Sequence, residues 1–404
     1  MAKPDGVGAM IPLRGFAIAL AIASGACAAP AAIASPTVSA PATVAPSPQP
    51  TPAAPWTALR WSAPVPMADQ GVIYQVMSWH DGYVGAGQST DGGAYVGATF
   101  SSPDGLHWQR TAILPLGPVL VVTGTGVIAV VTDRDTAVPK VRVWVSSDGR
   151  VWQPQDALTM TGATIDHLAA RGSTILGVGT DSSGGAAVWR STDGAAWTRG
   201  DPPSGHAIVR AVATVSDGFL ALGREGEPDV ASGGIGVRGV GLPAAWWSAD
   251  GRAWTALQVE GTPAAGAQLI QVLAVADGYF AVGSDTTDPS LNPRTALIWT
   301  SSDGRAWKLA GPPPSWNAVG ANGERAVYVV PSASGSRDLE AQVTRDGTHW
   351  TRLVFTGDLT DVPNVPGFTR AAQLDQFFVM PKGIIFTGQQ NGAPVAWFAD
   401  AEPR

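Results

Sequence analysis

The sequence predicts an all-β repeat protein, and three observations carry that prediction. One short phrase returns six times along the 404 residues, each copy follows an apolar, β-prone run, and no stretch keeps a helical period. The phrase is Ser102-Pro103-Asp104-Gly105 with Trp108, then Ser146-Ser147-Asp148-Gly149 with Trp152, and Ser191-Thr192-Asp193-Gly194 with Trp197. It returns as Ser248-Ala249-Asp250-Gly251 with Trp254, Ser301-Ser302-Asp303-Gly304 with Trp307, and Thr344-Arg345-Asp346-Gly347 with Trp350. The aspartates lie 44, 45, 57, 53 and 43 residues apart. Self-similarity at such a period marks supersecondary modules that bury their apolar faces only against one another.

Strand, tight turn, strand is the reading of each copy. Runs such as Val141 to Val145 and Ala296 to Trp299 lead into the turn. Asp-Gly suits a turn because Gly accepts positive φ and the carboxylate accepts hydrogen bonds from its own turn's N–H groups. The Ser or Thr two residues earlier adds a hydroxyl. The Trp four residues after the Asp lands on the outgoing strand, where it buries a large apolar surface.

This phrase resembles the Asp-box (BNR) repeat, roughly Ser/Thr-x-Asp-x-Gly-x-x-Trp, in a compact form lacking the residue between Asp and Gly. The resemblance covers residues 56–404. It implies a β-propeller of four-stranded blades, with the box between the third and fourth strands of each blade. It also implies structural rather than catalytic aspartates, since an active site needs one or two placed carboxylates and not a ring of them.

A second recurring element gives the count. Short apolar runs follow a turn signal before each box: Asp81-Gly82-Tyr83-Val84, Gly126-Val127-Ile128, Ser173-Thr174-Ile175, Asp217-Gly218-Phe219, Asp277-Gly278-Tyr279 and Gly323 to Val327. Gly383-Ile384-Ile385-Phe386 makes a seventh, which runs on to a degenerate box ending at Asp400. Its missing fourth strand is expected at the other end of the chain, where Trp56-Thr57-Ala58-Leu59 matches Trp254-Thr255-Ala256-Leu257. The expected architecture is a seven-bladed propeller closed by its N-terminal strand, which leaves no free sheet edge there. A six-bladed ring with ragged ends is the alternative. Among 49 glycines, 33 prolines and 16 tryptophans, the tight turns and bulky strand residues of such a fold are well supplied.

The first 55 residues read as an address and a tether. Lys3 and Arg14 precede an apolar run over 15–23 and then Ser24-Gly25-Ala26-Cys27. This is the pattern of an export signal, shorter than the ~20 residues a membrane span needs. Cys27, the single cysteine, resembles the lipid-modified residue of a bacterial lipobox, with Ser24 where Leu is usual. Cleavage after Ala28 or Ala29, releasing a soluble protein, is the alternative. With one cysteine there is no internal disulfide. Residues 28–55, rich in Ala, Pro, Ser and Thr, read as an extended spacer. The expected location is extracytoplasmic, at a bacterial cell surface or secreted.

Candidate chemistry is sparse. Asp-box sialidases need three arginines, a Tyr–Glu pair, an Asp and an Arg-Ile-Pro signature; Arg60-Trp61-Ser62-Ala63-Pro64 does not match it. Tyr83 and Tyr279 occupy a repeated position taken as the inner strand, and read as core. The five histidines lack zinc-site spacing. G-x-G-x-x-G at 234–239 opens no helix. With 25 Lys+Arg against 32 Asp+Glu and no basic stripe, nucleic acid is not an expected partner. No cofactor, metal or catalytic residue is assigned.

Ligands of the resembled family bind on the propeller face away from the boxes. The overlong loops there supply the candidate binding residues Glu225, Glu227, Asp229 and Arg238, then Asp285, Asp288 and Arg294. Asp133, Arg134, Asp135, Lys140 and Arg142 form a smaller group in the second unit. The expected function is a monomeric cell-surface binding or scaffolding module for a protein or glycan, touching the membrane only through its lipid. The alternative is a secreted glycoside hydrolase using carboxylates in the central cleft.

Overall fold

The computed structural model describes residues 56–67, 71–133, 138–155, 160–227, 230–232, 235–237, 241–261, 267–284, 296–311, 319–331, 339–356 and 372–401. The described residues contain strands and turns and no helix, and they form a β-propeller. The first blade is Gly71–Trp79, Gly82–Asp91, Ala94–Ser102 and Gln109–Leu114, paired antiparallel in that order. The next begins at Val119–Val122, and later blades begin at His167–Arg171, Ala207–Val215, Gln268–Val275, Val319–Ala321 and Ala372–Met380. Each of these first strands touches the first strand of the next blade, and Ala372–Met380 touches Gly71–Trp79, so together they line a central channel.

The ring closes through the N-terminal strand. Ala58–Trp61 pairs antiparallel with Ala393–Asp400, placing Trp61 opposite Ala399 and Arg60 opposite Asp400. Pairing resumes at Val65 opposite Ala396 and Pro66 opposite Val395. The register differs from the one the Trp-Thr-Ala-Leu match suggests. In the third blade the turn tryptophan Trp197 stands opposite Ser191, and the equivalent place in the last blade, opposite Ala399, is taken by Trp61 rather than Trp56. Packing decides it. Trp61 stacks against Phe355 and Phe386 at 4.9 and 4.6 Å, and Trp56 lies under the Arg325 guanidinium at 4.4 Å.

One buried cluster fills each junction between neighbouring blades. Ile73, Phe100 and Trp108 meet Ile385 and Phe398 between the last blade and the first. Ile128 and Val143 meet Ile165 and Trp189 between the second and third. Both faces of each sheet are therefore covered, and second strands read as unbroken apolar runs; Val127 to Val131 are all buried. One expectation is corrected. The runs after Asp81-Gly82 and Asp277-Gly278 are second strands and not the innermost ones, while Tyr83 and Tyr279 pack against the clusters between blades, in keeping with their reading as core.

Candidate functional site

The repeated turns join third and fourth strands, so in an antiparallel blade they share one end with the turns joining first and second strands. Asp104 Oδ1 accepts hydrogen bonds from the Leu106 and His107 N–H groups, both at 2.9 Å, and from Ser102 Oγ at 3.2 Å. Ser102 Oγ in turn accepts from the Gly105 N–H at 2.9 Å. Asp148, Asp193, Asp303 and Asp346 each accept from the two N–H groups that follow their own glycine. At Asp250 the bond from the Arg252 N–H is 3.0 Å.

These aspartates are occupied in folding the turn, and their electrostatics say so. Burial pushes the Asp104 carboxyl up. The His107 and Leu106 N–H groups and the His107 imidazole outweigh that and hold it at about 2. The six turn glycines have φ between 69° and 80°, a region favouring residues without Cβ. A Cβ on Gly105, Gly149 or Gly194 would stand 2.7, 2.6 or 2.5 Å from Ile385, Val84 or Ile128 of the preceding blade. The turns are thus joints between blades. Trp108, Trp197 and Trp307 lock them further by donating Nε1–H to the carbonyl of their own turn glycine.

The opposite end of the channel is built differently. Four first strands carry a β-bulge at one repeated place, between Ile73 and Gln75, Val209 and Ala211, Leu269 and Gln271, and Leu374 and Gln376. The extra residues are Tyr74, Arg210, Ile270 and Asp375. Bulges re-aim side chains and gather beside functional sites. In the third blade the same place is held by Asp166, just before the first strand. Its Oδ2 accepts from Thr164 Oγ1 at 2.9 Å. His167 follows, exposed at the start of the channel-lining first strand. Desolvation by the surrounding protein holds its imidazole below the usual histidine range; Asp166 opposes that, and Arg210 of the fourth blade reinforces it. Arg210 Nε also reaches Gln268 of the fifth blade at 3.4 Å.

The mouth is stitched from blade to blade. Tyr74 Oη donates to the Pro118 carbonyl at 3.1 Å, and burial raises its phenol above the ordinary range. Gln75 donates to the Leu120 carbonyl at 2.9 Å and accepts from the Leu120 N–H at 2.8 Å. Thr132 does the same for Ile165, at 2.9 and 3.0 Å. Such bidentate side-chain bonds satisfy backbone groups that no strand partner reaches.

Of the loop residues singled out from sequence, Glu225 accepts from Ser204 Oγ at 2.7 Å, and the Glu227 carbonyl accepts from Arg224 Nη2 at 2.7 Å. Asp133 pairs with Arg142 at 3.7 Å. Asp229, Arg238, Asp285, Asp288, Arg294, Arg134, Asp135 and Cys27 lie outside the described residues. Sequence reasoning missed Tyr74, Asp166, His167 and Arg210. A signal for Tyr74 and Arg210 existed: Ile73, Val209, Leu269 and Leu374 each stand nine residues before a turn glycine, and the residue after each is the bulge; the third blade, with Thr174 at that place, lacks it.

No protein-family model and no curated protein matches this chain. Solved structures of similar fold do. An α-L-arabinofuranosidase from Fusarium graminearum is 15% identical, aligns over 70% of this chain and 98% of its own, and has a TM-score of 0.43. An α-L-arabinanase from Penicillium chrysogenum is 10% identical over 84% of this chain and 98% of its own, with a TM-score of 0.44. The β-propeller domain of the Trilobed protease from Pyrococcus furiosus is 8% identical over 83% and 98%, with a TM-score of 0.46. At such identities the likeness speaks to the fold. The expected binding or scaffolding module is corrected: the structures of similar fold include carbohydrate-cleaving enzymes, and none of them assigns a role to this chain.

Proposed function

We propose that this chain is a carbohydrate-active glycoside hydrolase whose site is the channel mouth opposite the repeated turns. One observation supports it. At a single repeated place on the first strands, where Ile270 shows that an aliphatic residue suffices, other blades carry Tyr74, Asp166 and His167, Arg210 and Asp375. Glycoside hydrolysis needs two carboxyl groups facing each other across the sugar, one as acid and one as base or nucleophile. Asp166 of the third blade is assigned as one of the two, and Asp375, which holds the repeated place in the seventh blade, is the position tested for the second. Arg210 orients sugar hydroxyls, and an imidazole kept neutral at pH 7 hydrogen-bonds them. The six turns are read as Asp-boxes with a structural role. Cys27 is read as a lipid anchor that holds the enzyme outside the cytoplasm.

The test is hydrolysis of aryl glycosides and of a polysaccharide panel that includes arabinan, by the wild type, Asp166→Asn and Asp375→Asn. The expected result is turnover by the wild type and a loss of about 10²–10⁴-fold in each variant at unchanged melting temperature. Wild type that cleaves nothing, or folded variants with full turnover, would remove the proposal.

A further inference from the structure

Among the described residues the propeller hides its Phe, Trp and Tyr side chains, with one exception. Among these described side chains Tyr95 is the single one on the exposed side, 73% exposed, while the other rings are buried or half-buried. An aromatic ring held in water forgoes the burial that stabilises it elsewhere, so its placement asks for a reason.

The local chain is built to hold it. Asp91 pairs with Ala94 across Gly92 and Gly93, whose φ values of 57° and 85° make the two-residue turn that suits twisted strands. Tyr95 stands directly after, opposite Thr90. Arg110 braces the other strand, donating to Ser89 Oγ at 3.1 Å and to the Thr90 carbonyl at 3.2 Å. The backbone that carries the ring is thus fixed, and only the side chain's own torsions are left to settle when something covers it.

Its surroundings lead to the channel. Val72, on the channel-lining strand two residues from Tyr74, shares the face of Tyr95, because the ladder sets Val72 opposite Gln88 and Gln88 opposite Gly97. Val72 is 37% exposed, and Leu116, just past the end of the fourth strand, is 47% exposed. Gly97 lies so close to Pro115 and Pro118 that a Cβ would clash, and the Pro118 carbonyl holds Tyr74 Oη. With strands about 4.8 Å apart, the third strand lies roughly 10 Å from the channel-lining strand, within reach of a short oligosaccharide.

We infer that Tyr95 is a stacking platform for an outer sugar unit of a chain whose reacting unit sits at the channel mouth. The inference rests on the reading proposed above. A sugar presents a C–H face to the ring and hydroxyl edges to Thr90 and Gln88 beside it, whereas a protein partner needs about 800 Å² of complementary surface, far more than three side chains supply. The site therefore favours a polymer or oligomer over a single sugar.

Affinity gel electrophoresis in a panel of soluble polysaccharides tests it, with wild type, Tyr95→Ala, Tyr95→Phe and the control Val151→Ala at the other end of the propeller. The expected result is retardation of the wild type by at least one polysaccharide and about tenfold weaker retardation for Tyr95→Ala. Tyr95→Phe and Val151→Ala should behave as wild type, with equal melting temperatures throughout. Retardation by none of the panel overturns the inference, as does a Tyr95→Ala chain that migrates like the wild type. So does a dimer that Tyr95→Ala dissolves in the absence of any retardation. Tyr95-dependent retardation without hydrolysis supports this site while removing the proposed reaction.

Discussion

The two ends of the channel treat repetition in opposite ways. At one end six turns carry the same Asp-Gly pair, each with positive φ at glycine and a carboxylate bonded to its own backbone. At the other end one repeated place carries tyrosine, aspartate, arginine, isoleucine and aspartate in different blades. A position that must satisfy the same local physics in every blade keeps one answer. A position freed from that demand, on the channel-lining strand, can diverge toward chemistry. Sameness marks stability and divergence marks the site.

The largest expected effect breaks the ring itself. Removing residues 56–61 strips Trp56, Leu59 and Trp61 from the last junction and exposes the edge of Ala393–Asp400, and the chain should aggregate. A soluble, monodisperse product with an unchanged melting curve would show that closure does not need this strand. Trp61→Ala alone should cost about 3–5 kcal/mol, as large-to-small changes in a core do, read as a lowered denaturant midpoint.

Within one turn the comparison sharpens. Gly251→Ala places a side chain at φ 80° and drives it into Leu176. A loss of about 2–4 kcal/mol is expected from left-handed strain and overpacking together. Asp346→Ala, which removes an acceptor for two N–H groups and the partner of His349, should cost about 1 kcal/mol. Asp250→Ala should cost least of the six. Chemical denaturation of the three variants gives the order, and an Asp250→Ala loss exceeding that of Gly251→Ala would contradict it.

The smallest effect is in pH. Because the turn carboxylates at 104, 148, 193, 303 and 346 have folded pKa values below their unfolded ones, their contribution is complete above about pH 4. It is lost as pH falls toward the folded values, about 2 for Asp104. The melting temperature of the wild type should therefore drop between pH 4 and 2, and Asp104→Ala should drop less. Parallel curves for the two would argue against the turn as the source.

Much of the fold was legible because the physics of the turn is local. Asp, Gly and the hydroxyl two residues before it lie within one short segment, and their spacing survives in every copy. The closing strand was legible too, but not its register: Trp61 rather than Trp56 takes the turn tryptophan's place opposite the third strand, and its ring packs on Phe355 and Phe386 from the far end of the chain. The channel mouth was missed for a related reason. Asp166 and Arg210 come from different blades, and nothing in either segment announces the other; only the register of the two first strands against their second strands ties them together. The long loops drew attention by length and charge, which solvated insertions share.

The most direct test of the contrast between the two ends is one paired measurement on two carboxylates, Asp166→Asn at the mouth and Asp303→Ala at a turn. Melting temperature and hydrolysis rate are read on the same preparations. The account predicts that Asp166→Asn keeps its melting temperature and loses at least about a hundredfold in rate, while Asp303→Ala melts lower and, where folded, turns over like the wild type. The reverse pattern, or a lowered melting temperature with full turnover for Asp166→Asn, would contradict it.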